Sequence, residues 1–257
     1  MSYLQKQFPI LDTKCLAKDI HELVVSCPEI ASQAIAGQFV NIRTSHTLRR
    51  PISICGIDAE KGTIRLVVKA QGKGTDEICR MRPGDTIDLL GPLGNGFDVK
   101  NSNLKAVVVG GGIGAAPMYG VASVYGKNCA AILGFRDSAD VILEKDFQAL
   151  GCELLICTDN GTRGFHGFTT QMLENYLKEN HVDIIHTCGP KPMMKGVKDI
   201  AEKYGVRCQI SMDERMACGI GACLGCACKT KKEDGSSTYS HVCKHGPVFE
   251  AQQLDFD

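Results

Sequence analysis

Four cysteines near the C-terminus, Cys218, Cys223, Cys226 and Cys243, follow the spacing C-x4-C-x2-C with a distant fourth member. That is the pattern of a plant-type [2Fe–2S] site, in which two irons need four thiolates. Three thiolates from one tight loop and one from a separate segment can wrap such a cluster. Gly219, Gly221 and Gly225 lie within the loop. Without a Cβ they let the backbone approach the sulfurs and aim N–H groups at them. Hydrogen bonds to cluster sulfurs help set the potential, and a centre of this kind passes one electron at a time. Structural zinc is the competing reading. Cys226, Cys228, His241, Cys243 and His245 can supply four ligands, but zinc usually takes two closely spaced pairs, which this spacing does not offer. Cys228 reads as a small buried residue. The spacing of His241 and His245 does not suit a two-histidine Rieske centre, so they read as surface residues or neighbours of the ligands.

A second signature is Gly110-x-Gly112-x-x-Ala115, with Gly114 inside it. It follows the apolar run 105–109 and precedes a helical stretch expected from Pro117, which is the context of a dinucleotide loop. There the glycines let the backbone approach a pyrophosphate at a helix N-terminus; a plain strand-to-helix connection has a similar composition. Asp137, after the next strand, can accept from ribose hydroxyls and favours NAD, whereas Arg136 beside it argues for NADP. Cys188, in Cys188-Gly189-Pro190-Lys191-Pro192-Met193, ends a buried strand. At the carboxyl edge of a parallel sheet it is either near a nicotinamide or an inert buried thiol.

Upstream, Arg49-Arg50-Pro51-Ile52-Ser53 begins a strand. An arginine held there can grip a pyrophosphate through bidentate contacts, and Ser53 can donate to a flavin or its ribityl chain. The plain alternative is a loop with a solvated charge. Gly72-Lys73-Gly74-Thr75 opens a helix with free N–H groups and a hydroxyl, which is a phosphate nest or an ordinary capped turn.

The elements that must position these residues fall into three textures. Residues 1–100 read as short strands at Ile20–Ser26, 38–42, 53–57, Thr63–Lys69 and 86–90, punctuated by Gly and Pro, which predicts a small antiparallel β-barrel. Residues 101–211 alternate buried strands at 105–109, 130–134, 153–157, 183–188 and 206–211 with helices near 140–150, 168–180 and 191–204. That alternation predicts an α/β parallel-sheet domain whose last strand, 206–211, leads into the cysteine loop. Residues 212–257 are too few for a core of their own, so a cluster is expected to staple them. The run 231–237 reads as a solvated hairpin tip, and the apolar residues around Leu224 as a docking surface.

Lysine and arginine total 29 against 29 aspartate and glutamate, so no net charge attracts nucleic acid or an anionic membrane. No apolar run reaches about 18 residues, so no transmembrane helix is expected, and the first nine residues lack the apolar stretch of a signal peptide. Tryptophan is absent, which argues against aromatic stacking platforms for single-stranded nucleic acid. Of 14 cysteines, those outside the cluster motif are scattered singly, and are expected to be reduced thiols of a cytoplasmic protein.

Together these residues resemble the ferredoxin–NADP reductase superfamily over nearly the whole chain. The shared order is R-P-x-S at 50–53, G-x-x-P at 114–117, C-G-P-x-P-M at 188–193, then a C-terminal cluster segment. More closely, M-x-C-G-x-G-x-C-x-x-C at 216–226 with Cys243 resembles the electron-transfer subunits of type B dihydroorotate dehydrogenases. The resemblance implies FAD held by Arg50, Pro51, Ile52 and Ser53, by Val67, Val68 and Lys69, and by Gly74 and Thr75. Relatives often carry Arg where Lys69 stands; lysine keeps the charge without the bidentate fork. The resemblance further implies NAD exchanging a hydride with FAD, and a [2Fe–2S] cluster relaying single electrons. The partner would be a catalytic subunit whose FMN oxidises dihydroorotate to orotate and which supplies the acid–base group. Two copies of each subunit would form a heterotetramer. The alternatives are an NAD(P)H diaphorase subunit of another complex, such as a hydrogenase or sulfide reductase, and a zinc-stapled nucleotide sensor without redox activity.

Overall fold

The computed structural model describes residues 4–232 and 234–256. Met1, Ser2 and Tyr3, at the start read above as lacking an apolar leader, lie outside the described residues, as do Glu233 of the expected hairpin tip and Asp257. The first strands are β1 (Leu4–Ala17), β2 (Ile20–Ser26), β3 (Phe39–Ile42), β4 (Arg50–Asp58), β5 (Thr63–Lys69) and β6 (Thr86–Leu93). They close into an antiparallel barrel in the order β1-β2-β5-β4-β3-β6. Alternate residues such as Leu23, Val25, Val40, Ile42, Leu66 and Val68 fill its interior, as the two-residue period of a strand requires. Short helices α1 (Pro28–Ala31) and α2 (Lys73–Cys79) lie in the connections.

Two features of the barrel depart from expectation. No strand is predicted before residue 20, because Pro9 interrupts a largely polar stretch, yet β1 is the longest strand. Its residues up to Pro9 pair with β6, and from Ile10 on it pairs with β2. Proline has no amide to donate, and a change of partner is a place where one donor can be spared. Strand β6 also runs through Gly91 and Pro92, which the sequence marks as a break.

The second layer holds β7 (Ala106–Gly111), β8 (Cys129–Phe135), β9 (Glu153–Thr158), β10 (Phe165–His166), β11 (Ile184–Cys188) and β12 (Arg207–Ser211). These six strands are mutually parallel where they pair. Helix α3 (Ala115–Tyr125) and the short α4 (Glu144–Ala149) cover one face and α5 (Thr169–Glu179) and α6 (Lys191–Tyr204) the other. Val108 packs towards α3, and Val107 and Val109 towards α5 and α6, so a strand buried on both sides reads as an unbroken apolar run.

The tail contains a hairpin of β13 (Ala227–Lys231) and β14 (Ser237–His241), helix α7 (Val242–His245) and β15 (Val248–Glu250). Here the expectation that 206–211 ends the sheet is corrected. Strand β15 returns from the tail and pairs antiparallel with β12, so the sheet order is β10-β9-β8-β7-β11-β12-β15. The tail also shares a core with the sheet, since Val242, Phe249 and Leu254 pack with Ile210 and Met212. None of the described helices is long and apolar enough to cross a membrane. All fourteen cysteines are free thiols.

Barrel and sheet are tied by Arg65. Its guanidinium pairs with Glu22 of β2 and with Asp146 of α4 at 2.7 Å, and lies 4.9 Å from the Tyr119 ring of α3. A second junction surrounds His186 in β11, which is fully buried with its Nε2 3.0 Å from Tyr125 Oη and its ring edge-on to Phe97. Nδ1 has no partner. Burial, with the Arg207 charge adding, pushes this imidazole down to about 3. The unfolded chain therefore takes up the proton first. Stability is fully present above about pH 6.5 and falls as pH drops towards 3, by about 1.4 kcal/mol per pH unit. His186→Leu will flatten this acid limb in equilibrium denaturation between pH 7 and 5; equal slopes in the two proteins would contradict it.

Candidate functional site

The loop 218–226 is held around its own sulfurs. The amides of Ile220, Ala222 and Cys223 donate to Cys218 Sγ at 3.4, 3.3 and 3.4 Å. Gly221 N–H donates to Cys243 Sγ at 3.1 Å, and Cys243 N–H to Cys226 Sγ at 3.4 Å. The thiols of Cys226 and Cys243 are 3.3 Å apart, and those of Cys218 and Cys223 also contact each other. The four sulfurs thus stand as two pairs, the arrangement two irons need, and not as the single tetrahedron of a structural zinc. One pair is at the surface, with Cys223 exposed, while Cys226 and Cys243 lie in the core shared with the sheet.

Burial acts upwards on Cys218, but the N–H groups of Ile220 and Cys223, the Cys223 thiol and the Ala222 N–H outweigh it and bring the thiol down to about 6. Amides that stabilise a thiolate are the ones that would stabilise added negative charge on a bound cluster. Leu224 sits at φ +60, an uncommon conformation for a residue with a branched side chain, and is 61 % exposed. Ile220 of the same loop is also exposed. Cys228 is buried in β13, where burial and then Glu214 push its thiol up to about 11. His245 Nδ1 accepts from the His241 amide at 2.9 Å.

Of the barrel residues singled out in the sequence, Arg50 and Gly74 are brought together. Arg50 and Ser53 lie on β4, and residues 50–53 are all half-buried ahead of a fully buried stretch, which marks an open face. Arg49 is spent on the outer face of the barrel wall, pairing with Asp88 at 2.9 Å and donating to the Asn41 carbonyl at 3.1 Å. Arg50 instead lies over Gly74, where an added Cβ would come within 2.8 Å of its Nη2. The first bond of α2 runs from Asp76 N–H to Gly72 O, so the amides of Lys73, Gly74 and Thr75 precede the helical ladder. Thr75 Oγ1 accepts from the amides of Gln71 and Gly72 at 3.0 and 3.1 Å, so it braces the turn. Arg50 and Lys73 line an open cleft of about 550 Å³ together with Ser45, His46, Thr47 and Leu48. Val68 points into the barrel and Val67 into the core shared with α3, while Lys69 stays half-exposed at the strand end. Arginine and the unpaired amides beside the cleft fit a diphosphate.

The nucleotide-loop residues meet at the carboxyl edge of β7 and β11, where Cys188 is paired with Gly110. A 3-10 turn at Gly112–Gly114 precedes α3, which starts two residues before the expected Pro117. Gly114 packs directly on the Cys188 carbonyl, whereas Gly112 has φ +54 and borders open space. Only Gly112 therefore has room above it for a ligand; Gly110 is needed for contact with Ala115. Strand β5 lies against the same turn, which brings the barrel site and the nucleotide edge together. The Cys188 thiol is pushed up to about 12 by burial, with Asp213 adding, and is neutral near pH 7. Asp137 Oδ1 accepts from the amides of Ala139 and Asp140 at 2.8 and 3.3 Å, capping its own turn. A residue that the sequence reading does not single out is Asn41, whose Nδ2 donates to the Cys218 carbonyl at 3.2 Å. A lone amide in the apolar strand Phe39-Val40-Asn41-Ile42 is the signal that marks it.

Comparison with known proteins agrees with this layout. A family model described as an oxidoreductase FAD-binding domain matches residues 7–97, and one described as the iron-sulfur cluster binding domain of dihydroorotate dehydrogenase B matches residues 213–255. The dihydroorotate dehydrogenase B (NAD(+)) electron transfer subunit of Bacillus pumilus is 41% identical, over 95% of this chain and 96% of its own. That of Caldanaerobacter subterraneus is 38% identical over 96% and 97%. Among solved structures, an NADH-dependent reduced ferredoxin-NADP oxidoreductase superposes with a TM-score of 0.86 at 30% identity, covering 97% of this chain and 90% of that one. Phthalate dioxygenase reductase shares the fold, with a TM-score of 0.63 at 16% identity over 92% and 76% of the two chains. The chain has an FAD-binding barrel and an iron–sulfur binding tail, and it belongs to the family of dihydroorotate dehydrogenase B electron transfer subunits.

Proposed function

We propose that this chain is the electron-transfer subunit of an NAD-dependent dihydroorotate dehydrogenase, working in cytoplasmic pyrimidine biosynthesis. It passes electrons between the FMN of a catalytic partner, its own [2Fe–2S] cluster and FAD, and NAD. Two copies assemble with two copies of that partner. Nicotinamide exchanges electrons in pairs as hydride, the cluster takes one, and a flavin handles both, so FAD belongs between them.

The observation that carries this reading is the meeting of three sites on one barrel. The cluster loop rests on β3 through Asn41, the flavin-type residues lie on the adjoining β4, and β5 touches the glycine turn. In this assignment Arg50 and the amides of Lys73–Thr75 bind the FAD diphosphate, Ser53 donates to the flavin, and Lys69 supplies a point charge. Gly110, Gly112 and Gly114 shape the bed for NAD at the start of α3. Asp137 keeps Oδ2 for a ribose hydroxyl, and the neutral Cys188 offers the nicotinamide an uncharged neighbour. The exposed residues Ile220 and Leu224 within the cluster loop support docking of the partner there.

Purified alone, the chain should reduce ferricyanide with NADH and leave dihydroorotate unoxidised; from cells it should co-purify with an FMN-containing flavoprotein. Dihydroorotate oxidation by the isolated chain would overturn this division of labour. The likeness to the NADH-dependent oxidoreductase supports a second reading, a diaphorase subunit of another complex. Co-purification with a hydrogenase or sulfide reductase subunit would decide for it.

A further inference from the structure

One buried polar side chain stands between the barrel and the cluster loop. Along β3, Val40 and Ile42 point into the barrel core, so Phe39 and Asn41 point outwards beneath the tail. Asn41 is 0% exposed. Its Nδ2 donates to the Cys218 carbonyl at 3.2 Å, while Oδ1 has no partner. Across the ladder it faces Pro51, within the stretch that carries Arg50 and Ser53. Its own carbonyl is held by Arg49 at 3.1 Å. From the other side, Gly219 has φ +74, and a Cβ there would lie 2.6 Å from Asn41 Nδ2 and 3.4 Å from Leu93. The loop therefore sits directly on this amide. An apolar side chain would fill such a position without leaving a carbonyl unsatisfied, so the bond to Cys218 is what the amide contributes.

We infer that Asn41 is a positioning residue that ties the cluster-binding loop to the flavin-binding strands. It fixes the Cys218–Gly219 peptide, and through it the loop amides that point at Cys218 Sγ. In this way it sets the potential of the cluster and the rate at which one electron crosses between cluster and flavin, with no bond made or broken at Asn41. The inference rests on the function proposed above and adds a residue to it.

The test uses the full chain carrying FAD and cluster, with Asn41→Leu. Two quantities are read: the cluster midpoint potential by EPR-monitored titration, and the rate of cluster reduction after mixing with NADH. The midpoint should move to more negative values as sulfur hydrogen bonds loosen, and cluster reduction should slow by about tenfold or more. The flavin midpoint should stay where it is. Wild-type values of both cluster quantities in a fully loaded variant would overturn the inference. If Asn41→Leu does not load, Asn41→Asp, of equal size but without the Nδ2 donor, must show the same two changes. Loss of iron with FAD retained in both variants also supports the tie. Loss of FAD with iron retained, or unfolding in both by circular dichroism, assigns Asn41 a purely structural part and overturns it. A wild-type chain that holds no flavin or cluster would fail the proposed function itself, a separate outcome.

Discussion

Cys223→Ser will separate the two halves of the electron path. NADH will still reduce the flavin at the wild-type rate, while delivery to a partner falls by about a hundredfold or more, the upper range for losing support of a metal centre. Cys223 is the ligand to replace because it is exposed. It holds to its own loop: its amide bonds Cys218 Sγ at 3.4 Å, and its thiol touches the same sulfur. A hydroxyl is a poor substitute for a thiolate on iron, yet the backbone amide remains. Cys226 and Cys243 are 2% and 4% exposed and pack with the residues that anchor the tail to the sheet, so replacing either would mix loss of the cluster with loss of the fold. Flavin absorbance and iron content should be measured on the same sample. Partner reduction at the wild-type rate, with iron absent, would rule out the relay.

The second large effect is expected at the opposite end of the path, in Gly114→Ala. Its backbone conformation, φ −62, suits any residue. The obstacle is space, because a Cβ would press on the Cys188 carbonyl, 2.7 Å from its carbon and 3.0 Å from the Gly189 nitrogen. Those are backbone atoms at the end of a central strand, so the glycine turn must move. Overpacking of this kind costs about 1–3 kcal/mol. The larger consequence is positional, since the start of α3 and the Gly112 bed shift together. Misplacement by about 1 Å can cost about a hundredfold in rate. Stopped-flow reduction of the flavin by NADH should slow by that order, while dithionite reduces flavin and cluster normally. Unchanged NADH kinetics would show that this turn does not position the nucleotide.

What could be read from the sequence was local chemistry and local periodicity. The cysteine loop, the glycine turn and the R-P-x-S stretch each carry their meaning within about ten residues, and helices α5 and α6 begin and end within a residue of where their patterns place them. What could not be read depends on partners far along the chain. Strand β1 is polar on its outer face and changes partner at Pro9, so no single-strand pattern announces it. The pairing of Gln209 with Glu250 has no local mark either. Asp137 shows a different limit: its residue type suits a ribose, but the same carboxylate also caps the turn that follows it. The sequence can name a candidate group without showing how much of it is already committed.

The returning strand β15 has a practical consequence for anyone who treats these domains as interchangeable parts. Val248 and Phe249 are buried, and Glu250 joins Arg207 and Gln209 at 2.6 and 2.8 Å. Cutting the chain after Ser211 to make a cluster-free diaphorase would strip a neighbour from β12 and leave its main-chain donors and acceptors as a sticky rim, a template for aggregation. A workable excision would remove the cysteine loop alone, splice across the gap, and keep the terminal segment as a permanent hem on the nucleotide domain.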